Sequence, residues 1–269
     1  MPIAILLTLA SDTDALLTQP VGRAHYAEVL ARLAAVDPAL SAAIHDGAGP
    51  KPLTCSGLLN ARATRDGTAI AAGQSYFLRV TGLTPPVVDG LAAALLQTPL
   101  SPWTVAGHAF RVLAASAEAG PWSGRTTYEA LAADHLLPAA APDRTVTLRF
   151  ASPTGFKATE GMHVPLPLPS LVFGSLVDRW NAFSPVRVSP EMRRFAAERI
   201  AISRYSLHSR PAPQRDGSVR MGGVGTVTYR ALGGDRYWVG VMQMLASYAL
   251  YSGVGVSTTV GMGQVRRAE

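Results

Sequence analysis

The apolar positions fall into two alternating kinds of pattern. Ile3–Leu9 is an unbroken apolar run of strand length, after which Arg23–Val36 places Tyr26, Val29, Leu30 and Leu33 at helical spacing and stops ahead of Pro38. Leu53–Leu59 and Tyr76–Gly82 read as strands, the second alternating through Tyr76, Leu78 and Val80. Pro85–Pro86 opens a second helix reaching Gln97, and Val105–Ala114 closes the series as a strand. That sequence of elements is the βαββαβ order of a ferredoxin-like unit.

The order recurs in the second half. Thr145–Phe150 reads as a strand, Leu168–Phe183 as a helix with more helix from Pro190, and Ile200–Ser209 and Val219–Arg230 as strands. Arg210–Gly217 reads as the exposed tip of the hairpin between those two strands, and a helix over Arg236–Tyr251 leads through a glycine-rich segment to a terminal strand. The expected fold class is α+β, with tandem ferredoxin-like domains. Residues 1–117 form the first, 118–142 a linker rich in Ala, Gly and Pro with a short helix near Thr127–Ala132, and 143–269 the second.

Charge adds an asymmetry to this plan. The net charge is +6, and of 24 basic side chains only Lys51 and Lys157 are lysines. Residues 1–140 carry −2 and residues 141–269 carry +8, with ten arginines against four acidic residues between Arg187 and Arg236. Guanidinium matches phosphate in a bidentate way that ammonium does not, so a polyanionic partner is expected. Arg204, Arg210, Arg215 and Arg220, which flank the hairpin tip, are the best candidates to touch it.

Other classes drop out. The single cysteine, Cys55, excludes an intrachain disulfide and a cysteine-based zinc site, and reads as a small buried strand residue. Met1–Ala10 lacks the basic start of a signal peptide, and the uncharged stretch Tyr237–Val265 is broken by Gln243, serines and glycines. A soluble cytoplasmic protein without membrane contact is expected. No carboxylate cluster has metal-ligand spacing, so neither a metal nor another cofactor is expected.

Two segments could carry chemistry. Gly253-Val-Gly255 and Gly261-Met-Gly263 let the main chain approach a ligand closely, and consecutive free N–H groups can cradle phosphate; the competing reading is a helix C-cap and turn. His45-Asp-Gly-Ala-Gly-Pro-Lys51 sets an imidazole and a lysine in a Gly/Pro-rich loop, a fitting place for proton transfer beside a developing negative charge. Of the other histidines, His108 and His135 read as structural, while His163 and His208 lie in basic surroundings.

Together, HDGAGPKPLTCSGL (45–58), LRFASPTGF (148–156), MGGVGTVTY (221–229) and YSGVGVSTTVGMGQV (251–265) resemble the CRISPR repeat-processing endoribonucleases of the Cas6 family. The resemblance implies RNA-recognition-like domains with the glycine-rich loop near bound repeat RNA. It also implies metal-independent cleavage of precursor CRISPR RNA within repeats. The 2′-hydroxyl attacks the adjacent phosphate, leaving a 2′,3′-cyclic phosphate and a 5′-hydroxyl.

By position, the resemblance makes His45 the general acid, or the base in an alternative assignment, and Lys51 the cation that stabilises the transition state. Tyr26 is the third candidate, as base or orienting hydroxyl; His25 beside it would point about 100° away on a helix. Gly253, Gly255, Gly261 and Gly263 join the four hairpin arginines as expected RNA contacts. The partner implied is CRISPR repeat RNA, kept as a guide after cleavage, with other effector-complex subunits beyond it. The second reading is a non-catalytic RNA-binding subunit of such a complex.

Overall fold

The computed structural model describes residues 1–64, 66–97, 101–157, 161–214 and 217–268. The chain forms two compact units: Met1–Arg125 with Thr258–Gly261, and Thr126–Ser257 with the chain from Met262 onward. Each contains the strands and helices that the sequence pattern predicts in their expected order, with further short elements between them.

In the first unit β1 (Ile3–Ala10) is followed by α1 (Val21–Val36), α2 (Pro38–Asp46), β2 (Leu53–Cys55), β3 (Ser75–Gly82), α3 (Pro85–Ala92) and β4 (His108–Ser116). The antiparallel sheet runs β2-β3-β1-β4, with Trp103–Val105 paired beyond β4 and Gly124–Arg125 paired to β1. Ile3, Ile5, Leu7 and Leu9 of β1 pack with Leu78 and Val80 of β3 against Val29 and Leu33 of α1 and Leu91 of α3. Each of these side chains contributes about 2 kcal/mol on burial before chain entropy is counted.

Three details depart from the pattern. Pro38 stops α1 as expected but also opens a second helix, because the Asp37 side chain accepts the Leu40 N–H and a proline suits the first helical turn. Of the strand expected over Leu53–Leu59 only Leu53–Cys55 is regular, although the Ser56 and Leu59 amides still donate to the Arg79 and Phe77 carbonyls of β3. The single strand expected over Val105–Ala114 is a hairpin in which Val105 faces His108 across a two-residue turn, with Ala106 and Gly107 both at positive φ.

The second unit repeats the plan with α4 (Tyr128–Leu136), β5 (Thr145–Thr154), α5 (Pro169–Phe183), α6 (Met192–Arg199), β6 (Ile200–Pro213), β7 (Val219–Ala231), α7 (Arg236–Ser252) and β8 (Val265–Arg267). Its antiparallel sheet runs β6-β7-β5-β8, the same spatial order as the first. Residues 118–142, read from sequence as a linker, contain both the Gly124–Arg125 strand and α4.

The strand expected over Thr145–Phe150 runs on through Pro153 to Thr154, and the shift in register against β7 between Phe150 and Thr154 absorbs the missing proline donor. Arg210 lies within a paired arm rather than in the hairpin tip, opposite Gly222, since pairing extends to Pro213 and Val219. No helix among the described residues is long and apolar enough to cross a membrane.

Candidate functional site

His45 sits in the last turn of α2, exposed, rather than in the loop where the sequence reading set it. The helix ends at Gly47, whose N–H bonds back to the Ala43 carbonyl. Half-buried Lys51 folds back onto this end: its Nζ donates to the His45 carbonyl at 2.9 Å and to the Gly47 carbonyl. A cation on the free carbonyls of a helix C-terminus is favourable both as a hydrogen-bond donor and against the helix dipole. A side chain at position 47 would put its Cβ 2.7 Å from the Ala43 oxygen, so glycine is needed for this closure.

Tyr26 lies on α1, half-buried and packed against the first unit's core. Burial, then the neighbouring Cys55 thiol, raises its pKa, so at neutral pH the phenol keeps its proton and is better suited to donate or orient than to act as a base. Among the described residues no hydrogen bond joins its side chain to His45 or Lys51.

His25, one position earlier, is fully buried. Its Nδ1–H donates to the Ser56 carbonyl at 2.9 Å, and its ring meets Trp103 edge-on. Desolvation lowers its pKa to about 4, partly opposed by the Ser56 hydrogen bond, which keeps the ring neutral. Cys55 is wholly buried on β2, and burial pushes its thiol far up, away from nucleophilic use.

The glycine-rich segment is built differently from the expected phosphate cradle. The amides of Gly253, Gly255, Gly261 and Gly263 donate respectively to Ala249 O, Ser175 Oγ, Cys55 O and Pro153 O, so none is a free donor. Gly253 caps α7 at φ +63°, as the competing C-cap reading has it. Close approach is real but is backbone to backbone. A Cβ on Gly22 of α1 would lie 2.4 Å from the Val260 carbonyl oxygen, and one on Gly261 only 3.3 Å from the Gly57 nitrogen. The segment Thr258–Gly261 is thereby clamped on the first unit beside Cys55 and Ser56.

On the second unit Arg204, His208 and Arg210 stand exposed along one side of β6. Arg220 on β7 donates to Ser257 Oγ at 2.9 Å, and Arg215 lies outside the described residues. Two other arginines of the basic stretch are neutralised locally, Arg193 by Asp178 and Arg194 by Glu191. Arg179 was not singled out from sequence: nearly buried on α5, its guanidinium donates to the Gly255 carbonyl at 3.0 Å. An arginine within the apolar pattern of Leu168–Phe183 was the available signal. Among the described residues no group of three or more His, Cys, Asp or Glu side chains could hold a metal ion.

A family model described as CRISPR-associated endoribonuclease Cas6 matches residues 148–265. The whole chain superposes on a solved Cas6 product complex with a TM-score of 0.75 at 29% identity, covering 100% of this chain and 99% of that one. In sequence and in fold the chain is similar to the Cas6 endoribonucleases. A Thermus thermophilus Cas6 superposes on this chain equally well, with a TM-score of 0.75, 26% identity and coverage of 100% and 98%.

A curated Cas6 endoribonuclease of Streptococcus thermophilus is 31% identical over 127 residues, 45% of this chain and 49% of that relative, so the match spans about half the relative's length. The protein of the first product complex has also been solved with a substrate mimic and as a histidine-to-alanine variant. The family-model match covers the sheet and glycine-rich segment of the second unit; Tyr26, His45 and Lys51 lie outside it.

Proposed function

We propose that this protein is a Cas6-type endoribonuclease that cuts precursor CRISPR RNA within each repeat, without a metal, and holds the product as a guide. The observation that carries the reading is the exposed His45 imidazole at the end of α2 with the Lys51 ammonium anchored beneath it. Relatives solved as product and substrate-mimic complexes, one of them also as a histidine variant, support it.

In the proposed reaction the ribose 2′-oxygen forms a bond to the adjacent phosphorus as the bond to the 5′-oxygen breaks. One proton leaves the 2′-hydroxyl and one reaches the departing oxygen. His45 is assigned the second transfer, with the reverse assignment, as base, kept open. Tyr26, held protonated, is assigned to orienting the attacking hydroxyl, whose proton leaves to solvent water when His45 is the acid. Lys51 has three N–H donors and spends two on carbonyls, leaving one for the charged phosphorane. Acid, orienting hydroxyl and cation together serve the chemistry without a metal.

RNA binding is assigned to Arg204, Arg210, Arg215 and Arg220. A contact of the glycine-rich segment with RNA would rest on its surface shape, its amides being used within the fold. Purified protein incubated with its own array's repeat RNA in EDTA tests the reading: a single internal cut supports it. Tight binding with no cut would make the chain a non-catalytic RNA-binding subunit.

A further inference from the structure

Residues of the second unit's sheet alternate between two sides. One side packs on helices: Leu148, Val227 and Tyr229 are buried there, and Arg267 donates from it to the Gln243 carbonyl and Ser247 of α7. Register places a different set on the other side. Arg204, His208 and Arg210 of β6 share it with Arg220 and Arg230 of β7 and Arg149 of β5. All except half-buried Arg220 are exposed. The Thr147 and Thr228 hydroxyls bond to each other at 2.9 Å in the middle of this face.

The four strands contain no Asp or Glu. Among the described residues, none of these five arginines enters an ion pair. A sheet face whose own strands carry charge of one sign raises the local potential and selects an anion. From Arg204 to Arg210 the exposed cations reach about 20 Å, at roughly 3.3 Å per residue. That span fits an extended polyanion rather than a single phosphate.

We propose that this sheet face binds the sugar–phosphate backbone of single-stranded RNA, with Arg149 and Arg230 as RNA-binding residues beyond the hairpin set. The inference rests on the RNA-processing reading above. A single strand is favoured over a duplex because it can follow the row of cations along β6, whereas a sheet cannot enter the deep, narrow major groove of A-form RNA. Phe150, Tyr205 and Tyr229 point to the other side by alternation, so no Phe, Tyr or Trp of these strands offers a base a stacking platform. Binding here therefore follows charge and is indifferent to sequence.

The test is fluorescence anisotropy of a labelled oligouridylate at several salt concentrations. The double variant Arg149→Ala/Arg230→Ala is expected to bind several-fold more weakly, with the log–log salt slope flatter by about 1.4, roughly 0.7 per lost phosphate contact. The Lys/Lys variant at the same positions should restore the slope, and Arg194→Ala, whose cation is already paired with Glu191, should change nothing. Unchanged affinity and slope in the Ala/Ala variant would overturn the inference. So would oligouridylate binding unaffected while binding to poly-glutamate falls, which would assign the face to an acidic protein. A wild-type protein that neither binds nor cuts repeat RNA defeats the RNA-processing reading itself. Wild-type cutting together with normal oligouridylate binding by the variant defeats the sheet-face inference alone.

Discussion

The Lys51 ammonium lies 2.9 Å from the His45 carbonyl oxygen, tying the only lysine of the first unit to the backbone of its exposed histidine. The pair is thus joined through the end of a helix, and the imidazole itself stays free to meet a substrate. Two effects of Lys51 can therefore be separated: what its charge does at a phosphate, and what its hydrogen bonds do for the last turn of α2.

Replacing Lys51 is expected to affect both. Lys51→Ala removes the cation from the helix end and should lower stability by about 0.3–1 kcal/mol in a denaturant titration. It should also slow cleavage at saturating RNA. If the cleavage rate stays at the wild-type value, the charge has no part in the chemistry.

Gly22→Ala gives a reversal of the usual sign. In an exposed helix the change would stabilise by about 1 kcal/mol. Here the new Cβ would meet the Val260 oxygen at 2.4 Å and the Gly261 Cα at 2.5 Å, both backbone atoms that cannot swing aside. The variant should melt lower than the parent, and a higher melting temperature would refute the clamp.

Buried His25 should make stability depend on pH. Its folded pKa of about 4 lies below the ordinary value of 6.5, so between these values the unfolded chain binds more protons. Its contribution is complete above pH 6.5 and is lost as pH falls toward 4, by roughly 3 kcal/mol. Asn at this position can still donate to the Ser56 carbonyl but does not titrate. The loss of unfolding free energy between pH 7 and pH 5 should therefore be smaller in His25→Asn than in wild type.

Arg204→Glu/Arg210→Glu places two negative charges on the exposed side of β6. Binding of repeat RNA should weaken by at least tenfold at low salt, and the difference should shrink as salt rises. A salt-independent loss would point to misfolding instead, which circular dichroism would reveal.

The fold was legible because strands and helices kept to their own apolar periods. Val219–Arg230 alternates and Arg236–Tyr251 does not, and both segments fold as read. Local errors arose where a residue does two things at once. Pro38 ends one helix and begins another, and Ala106 takes a positive φ that alanine rarely signals, hiding a hairpin inside an apparent strand.

In the candidate site, the spacing of His45 and Lys51 could be read, but not the bond between the lysine and a main-chain carbonyl. The glycines showed that backbones approach closely, without showing that their partners are Gly22, Gly57 and Gly155 rather than a ligand. Arg149 and Arg230 were passed over because only pairing register reveals that they share a face with the hairpin arginines.

Cleavage of the cognate repeat in EDTA, comparing all-ribose RNA with RNA carrying one 2′-deoxy residue before the cut, and wild-type protein with His45→Ala, tests the central claim most directly. The account predicts a 2′,3′-cyclic phosphate and a 5′-hydroxyl from the all-ribose substrate and no cut in the deoxy substrate. It also predicts a cleavage step slowed by about 10²–10⁴ in His45→Ala with RNA binding retained. Cutting of the deoxy substrate, or a His45→Ala variant as fast as wild type, would contradict it.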